Sequence, residues 1–111
     1  MTSKTLTNLV ITQCKPEDDE RFNKWYSDVH IPALMKFKGM RGATRYRQIG
    51  TPKEGPIFLT IYEFDSEAAF KAYNLSPEFV AAEKEREESW GPDGFKLLSR
   101  VQYEPIKTWK K

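Results

Sequence analysis

The chain has one histidine, His30, within the stretch FNKWYSDVHIPALMKFKG at 22–39. Its imidazole titrates near neutrality, so it can take and return a proton under ordinary conditions. Tyr26 precedes it by four residues, one helical turn, which puts the phenol on the same side of a helix. That hydroxyl could orient the imidazole or bond a substrate oxygen. A core tyrosine whose hydroxyl reaches the surface fits the spacing equally. At about 100° per residue, positions 22, 26, 29 and 33 share one apolar face, and His30 falls about 80° from residue 22. This is the edge of the stripe, where a side chain reaches a cavity while staying partly solvated. The competing reading is a helix-end histidine, favoured by the negative end of the dipole or bonded to a carbonyl freed at Pro32.

The other candidates are aromatic or amide groups. Trp25 and Phe22 belong to the same helix, Trp25 as packing first and pocket wall second. Tyr46 and Arg45 fall on opposite faces of a strand, because side chains alternate. Tyr46 shares its face with Thr44 and Gly42 and is expected to face the pocket. Arg45 would then serve an interface or an enolate-like oxygen. Tyr62, Tyr103 and Trp90 are further pocket candidates, each of a kind that is more often core than site. Asn8 lies between Leu6 and Val10 on one strand face, and a buried amide there needs partners, a ligand carbonyl among them. Asn23, Ser27 and Asp28 are expected on the solvated side of the helix.

Other chemistries lack their signatures. The sequence has no Gly-rich phosphate loop, no GxSxG and no HExxH. One histidine and one cysteine make a zinc site unexpected, and neither metal nor cofactor is predicted. Cys14 has only Lys15 as an activating neighbour and reads as a structural thiol at a strand end.

These residues need elements to hold them. Leu6 to Gln13 reads as a strand, rich in Leu, Val, Ile and Thr. Pro16 favours a helix start, with four acidic residues in the first turn. That helix should bend or end near His30 because of Pro32, resume through Leu34 to Phe37, and stop at Gly39. Met40 to Ile49 and Ile57 to Phe64 read as strands of a hairpin around the turn-forming 50–56. Asp65 or Ser66 caps a short helix through Tyr73. Ser76-Pro77 starts another that carries Phe79, Val80 and Ala82 into the charged run EKEREE, read as a solvated face. Trp90 to Gly94 breaks the helix, and Phe95 to Glu104 makes a fourth strand.

The order is βαββαβ, an α+β ferredoxin-like fold: a four-stranded antiparallel sheet with helices on one face, in a single domain spanning 1–111. In Ile57 to Tyr62 both alternating sets are largely apolar, unlike a strand with one wet face. A homodimer covering the free sheet face is therefore expected, with irregular packing as the alternative.

Composition narrows the class. With 111 residues there is room for one domain. Aromatics make up 14%, which suits a dense core or an aromatic-lined cavity. A net charge of +2 gives no reason to expect nucleic acid or an anionic membrane as partner. The single cysteine, the absence of a signal-peptide pattern and the lack of a membrane-length apolar run predict a cytoplasmic protein.

Trp25-Tyr26-x-x-x-His30-Ile31-Pro32-x-Leu34 resembles an element on the first helix of the dimeric α/β-barrel superfamily. Within it the chain is similar to the small EthD-like proteins related to ethyl tert-butyl ether degradation. Phe37-Lys38-Gly39-Met40, Ala43-Thr44-Arg45-Tyr46, Phe58 to Phe64 and Ala69 to Tyr73 continue the likeness. The superfamily it implies includes cofactor-independent monooxygenases, polyketide cyclases, dehydratases, isomerases and members with no known reaction. The resemblance implies a pocket between sheet and helices, with His30 and Tyr26 in catalytic roles. The expected function is cofactor-free proton transfer by His30 on a small apolar carbonyl or phenolic, polyketide-like substrate. Cyclisation or dehydration is the leading reaction; isomerisation and oxygenation remain open. The alternative is a non-catalytic dimeric binding or stress-associated protein for a small hydrophobic ligand.

Overall fold

The computed structural model describes residues 4–111. Four strands, β1 (Leu6–Gln13), β2 (Met40–Arg47), β3 (Ile57–Phe64) and β4 (Lys96–Tyr103), form one sheet in the order β2-β3-β1-β4. Every neighbouring pair is antiparallel. The helices are α1 (Asp19–Trp25), α2 (Ile31–Leu34), α3 (Glu67–Asn74) and α4 (Pro77–Trp90). This is the expected ferredoxin-like architecture. Among the described residues no helix is long and apolar enough to cross a membrane.

Local chemistry sets the helix starts. The hydroxyl of Ser66 accepts from the Ala69 N–H, and that of Ser76 from the Phe79 N–H, each satisfying an orphan donor of a first turn. Pro77 follows Ser76 at a position that needs no donor. Pro16 opens a 3₁₀ turn, Pro16–Asp18, that leads into α1.

Pro32 has no N–H to give the preceding turn. The chain answers with a π-helical turn, Tyr26–His30, in which the Ile31 N–H bonds the Tyr26 carbonyl five residues back. The helix therefore continues through the proline into α2. The wider turn also changes the phase of the apolar stripe. Phe22, Tyr26, His30 and Leu34 are buried, whereas Val29, expected on that stripe, is 43% exposed. His30 sits within the buried row, 8% exposed, not at its edge.

On β1, Leu6, Asn8, Val10 and Thr12 face the helices; on β3, Phe58, Thr60, Tyr62 and Phe64 do. A bulge between Met40 and Gly42 shifts β2 by one residue against β3. It absorbs one alternation, so Met40, Ala43, Arg45 and Arg47 share the helix side, opposite Phe64, Tyr62, Thr60 and Phe58. The expectation that Tyr46 faces inward is thereby overturned: it lies opposite Leu59 on the open face, 50% exposed. The strand also ends at Arg47, short of Ile49.

The open face carries Leu9 and Ile11 from β1, Leu59 and Ile61 from β3, and Val101 from β4. Tyr103 pairs with Thr7 on this side, 54% exposed, away from any pocket under the helices.

The core centres on Phe22, which is fully buried. Its ring lies 4.9 Å from that of Phe95, 5.5 Å from Trp90 and 5.6 Å from Phe58, in tilted or edge-on arrangements. Phe22 and Trp90, both candidate pocket residues by sequence, are thus structural. The Arg21 guanidinium closes over the outer side of Trp90 at 3.8 Å.

Candidate functional site

A half-open cavity of about 390 Å³ lies between the sheet and α4, reached past β4. The helix-facing row of β1 gives its floor, where Asn8, Val10 and Thr12 replace what would otherwise be solid core. Tyr62 enters from β3, and Tyr26 and His30 from the first helical segment. Four sequence candidates, His30, Tyr26, Tyr62 and Asn8, therefore meet at one cavity.

The hydroxyls of Tyr26 and Tyr62 are 2.9 Å apart and buried. Burial raises the pKa of both phenols, so both keep their protons at neutral pH. Arg45 adds a positive charge beneath them: its guanidinium lies 4.4 Å from the centre of the Tyr26 ring, and its Nη1 donates to the Ser27 hydroxyl. Arg45 reaches this place because of the β2 bulge. Its charge opposes the upward shift of both phenols.

His30 stacks on Trp25, ring centroids 4.8 Å apart and planes at 23°, and meets Tyr26 edge-on at 5.0 Å. Trp25 is in turn held by Glu85 of α4, whose carboxylate accepts from the indole N–H at 2.9 Å. Ser89 also donates to Glu85. Trp25 is thus a backing plate for the imidazole rather than a cavity wall. The buried Nδ1 of His30 has no hydrogen-bond partner among the described residues. Burial lowers the imidazole pKa to about 4; Glu85 opposes that shift and Arg86 and Arg45 add to it. The ring is neutral at pH 7, with one nitrogen able to accept a proton.

Asn8 accepts through Oδ1 from the Gln102 amide at 3.0 Å, which supplies the partner its burial requires. Thr12 brings a buried hydroxyl with no partner among the described residues to the other end of the floor.

The charged run of α4 departs from its expected solvated role. Phe79, Glu83, Arg86 and Trp90 recur at helical spacing, so Glu83 and Arg86 belong to the inward stripe and line the cavity. They pair with each other at 3.3 Å. Lys84, Glu87 and Glu88 stay exposed. Arg100 completes the rim from β4, where a bulge between Ile11 and Thr12 of β1 lets Leu97 and Arg100 both face inward. The i, i+4, i+7, i+11 spacing from Phe79 could have flagged the acidic and basic pair; nothing local in the sequence announces the bulges.

Among the described residues no three His, Cys, Asp or Glu side chains cluster to hold a metal ion. Cys14 is buried away from the cavity, and burial, with help from Asp19 and Asp18, raises its thiol pKa to about 11.

Solved structures share this fold at low identity. An EthD family protein from Bacillus halodurans is 20% identical, with a TM-score of 0.65 over 91% of this chain and 99% of that one. SnoaB, a cofactor-independent oxygenase from Streptomyces nogalater, is 12% identical, with a TM-score of 0.67 over 98% and 100%. A dimeric ferredoxin-like protein from an uncultured marine organism is 14% identical, with a TM-score of 0.64 over 96% and 100%. These likenesses show the ferredoxin-like fold that the EthD-like resemblance implied. No curated protein sequence matches the chain. The family described as Domain of unknown function (DUF4286) matches residues 8–93, most of the length from the first strand to the break after α4, and the chain belongs to that family.

Proposed function

We propose that the protein is a cofactor-independent enzyme that moves a proton on a small, largely apolar carbonyl or phenolic substrate of polyketide type. The observation that carries this reading is the convergence of a neutral His30 and the Tyr26–Tyr62 hydroxyl pair on one end of one cavity. An apolar chamber with a few placed polar groups is what a small organic substrate needs.

The chemistry follows from the charges. Neutral His30 takes a proton from a carbon between two carbonyls. One hydroxyl of the Tyr26–Tyr62 pair donates to the enolate oxygen that forms while accepting from the other, with the Arg45 charge behind them. The enolate carbon attacks a second carbonyl of the same substrate, forming the new C–C bond. The resulting alkoxide recovers the proton from His30. Loss of water from that product completes a dehydration. No electrons leave the substrate, so the sequence needs no oxidant. A low-pKa imidazole is a weak base, and that selects a substrate whose own C–H or O–H is acidic, as in a 1,3-dicarbonyl or a phenol. SnoaB, which shares the fold, is a cofactor-independent oxygenase, and oxygenation of a phenolate would use the same first proton transfer.

The free sheet face is proposed to be covered by a second copy. Its aliphatic row from β1, β3 and β4 supports this, as does the dimeric relative of the same fold.

The second reading, a non-catalytic carrier of a small hydrophobic ligand, is favoured by the unpartnered Nδ1 and depressed pKa of His30. Turnover of β-dicarbonyl and phenolic polyketide-like compounds by wild type and His30→Ala decides between them. At least a tenfold loss in the variant, about 1.4 kcal/mol of transition-state stabilisation, supports the enzyme. Equal turnover removes His30 from the chemistry. Binding without turnover of any compound favours the carrier.

A further inference from the structure

The cavity has further polar lining groups, which the proton-transfer chemistry leaves unused. At its rim stand Glu83 and Arg86 on α4 and Arg100 on β4. Glu83 neutralises Arg86, at 3.3 Å. Arg100 has no such counter-charge: its Nη2 donates to the neutral Asn74 amide oxygen at 2.9 Å, and its guanidinium lies 5.3 Å from the centre of the Phe70 ring. Among the described residues no carboxylate lies within ion-pair distance of it. The rim therefore holds two guanidinium groups and one carboxylate. Gln102, two residues along the same strand face, donates to Asn8 on the floor.

Resting on the reading of this cavity as a substrate site, we propose that the substrate is an anion whose carboxylate Arg100 binds at the rim while its apolar body fills the chamber. A guanidinium presents paired donors that fit a carboxylate in two-point contact, and a neighbouring apolar chamber strengthens such a pair by excluding water. Holding the charged end at Arg100 leaves the apolar body in the chamber that His30 and the tyrosines line. Arg100 would thus be a binding and orienting residue. This narrows the substrate class from apolar carbonyl compounds in general to carboxylic acids with an aromatic or polyketide body.

The test compares 2-naphthoate with methyl 2-naphthoate, which share a ring system and differ in charge. Binding is measured by calorimetry at low salt, and entry into the cavity by NMR shifts of His30. Wild type should bind the carboxylate at least tenfold more tightly than the ester. Arg100→Gln should make the two equal without moving the ester's affinity, and Arg100→Lys should keep part of the preference. Equal affinities in wild type, or a preference that survives in Arg100→Gln, overturn the inference. If the ester shifts His30 while the carboxylate has no advantage, the anion site fails and the substrate-site reading stands. If neither probe shifts His30, both fail. Arg100 is exposed, so the variants should keep the wild-type melting temperature, which guards against an unfolding artefact.

Discussion

The hydroxyl oxygens of Tyr26 and Tyr62 lie 2.9 Å apart although 36 residues separate them, one on a π-helical turn and the other on a central strand. Each is the other's hydrogen-bond partner in a place that water would otherwise have to serve. Tyr62→Phe removes one oxygen and leaves the Tyr26 hydroxyl with Thr60 as its remaining side-chain partner. The variant should lose about 1–2 kcal/mol of stability in urea melts. On any substrate the wild type turns over, kcat should fall about tenfold with KM little changed, as for a group that acts mainly on the developing oxyanion. A rise in KM alone would assign Tyr62 to ground-state binding.

His30 links stability to pH. Its folded pKa of about 4 lies below its unfolded value of about 6.5. Between those values the unfolded chain binds more protons, so stability rises with pH through that window. The contribution is fully present above about pH 6.5 and lost as the pH falls through about 4, up to about 3 kcal/mol. Carboxylates titrate in part of the same range, so the measurement is the difference between wild type and His30→Gln melts at each pH. The variant should show a flatter slope from pH 6.5 to 4. An unchanged slope would mean that the imidazole is hydrated in solution.

The open sheet face predicts a dimer. The chain mass is 13.0 kDa, so light scattering at micromolar concentration should give twice that, about 26 kDa. Ile61 sits on central strand β3 between Leu9 and Thr44 of the neighbouring strands, and Ile61→Glu should return the mass to that of one chain. A wild-type mass of 13.0 kDa would sink the dimer.

Gly55 is fixed by sterics. Its φ is +130°, and a Cβ there would stand 1.9 Å from the backbone carbonyl oxygen of Cys14. Its own carbonyl accepts from the Gln13 side chain. Gly55→Ala must move the end of β1 or the hairpin loop. The expected cost is at least about 2 kcal/mol, read from a chemical melt. Gly42, where no atom lies within 4 Å of a built Cβ, serves as the control, and Gly42→Ala should cost far less.

Cys14 should resist alkylation. Its thiol is buried and its pKa stands at about 11, so iodoacetamide at pH 8 should leave the native protein unmodified and label it in denaturant. Rapid native labelling would show that the end of β1 opens readily.

The sequence by itself determined the element order, the split βαβ topology and the apolar character of both sheet faces. Those signals are local, carried by periodicity, by capping serines such as Ser66 and Ser76, and by prolines. It also brought His30 and Tyr26 together, since four residues along a helix are neighbours whatever surrounds them. Only the tertiary structure decided which residues face the cavity. The bulge at Met40–Gly42 turned Arg45 inward and Tyr46 outward, and a bulge depends on strand pairing rather than on the residues it displaces. The π turn before Pro32 put His30 in the buried row and Val29 in solvent, because the helix widened where an interruption was expected. Tyr62 found Tyr26, and Glu85 found Trp25, across separations that no spacing rule reaches. Glu83 and Arg86 had the right spacing, but charge argued for solvent, and only the half-open gap between α4 and β4 let them face inward and remain hydrated.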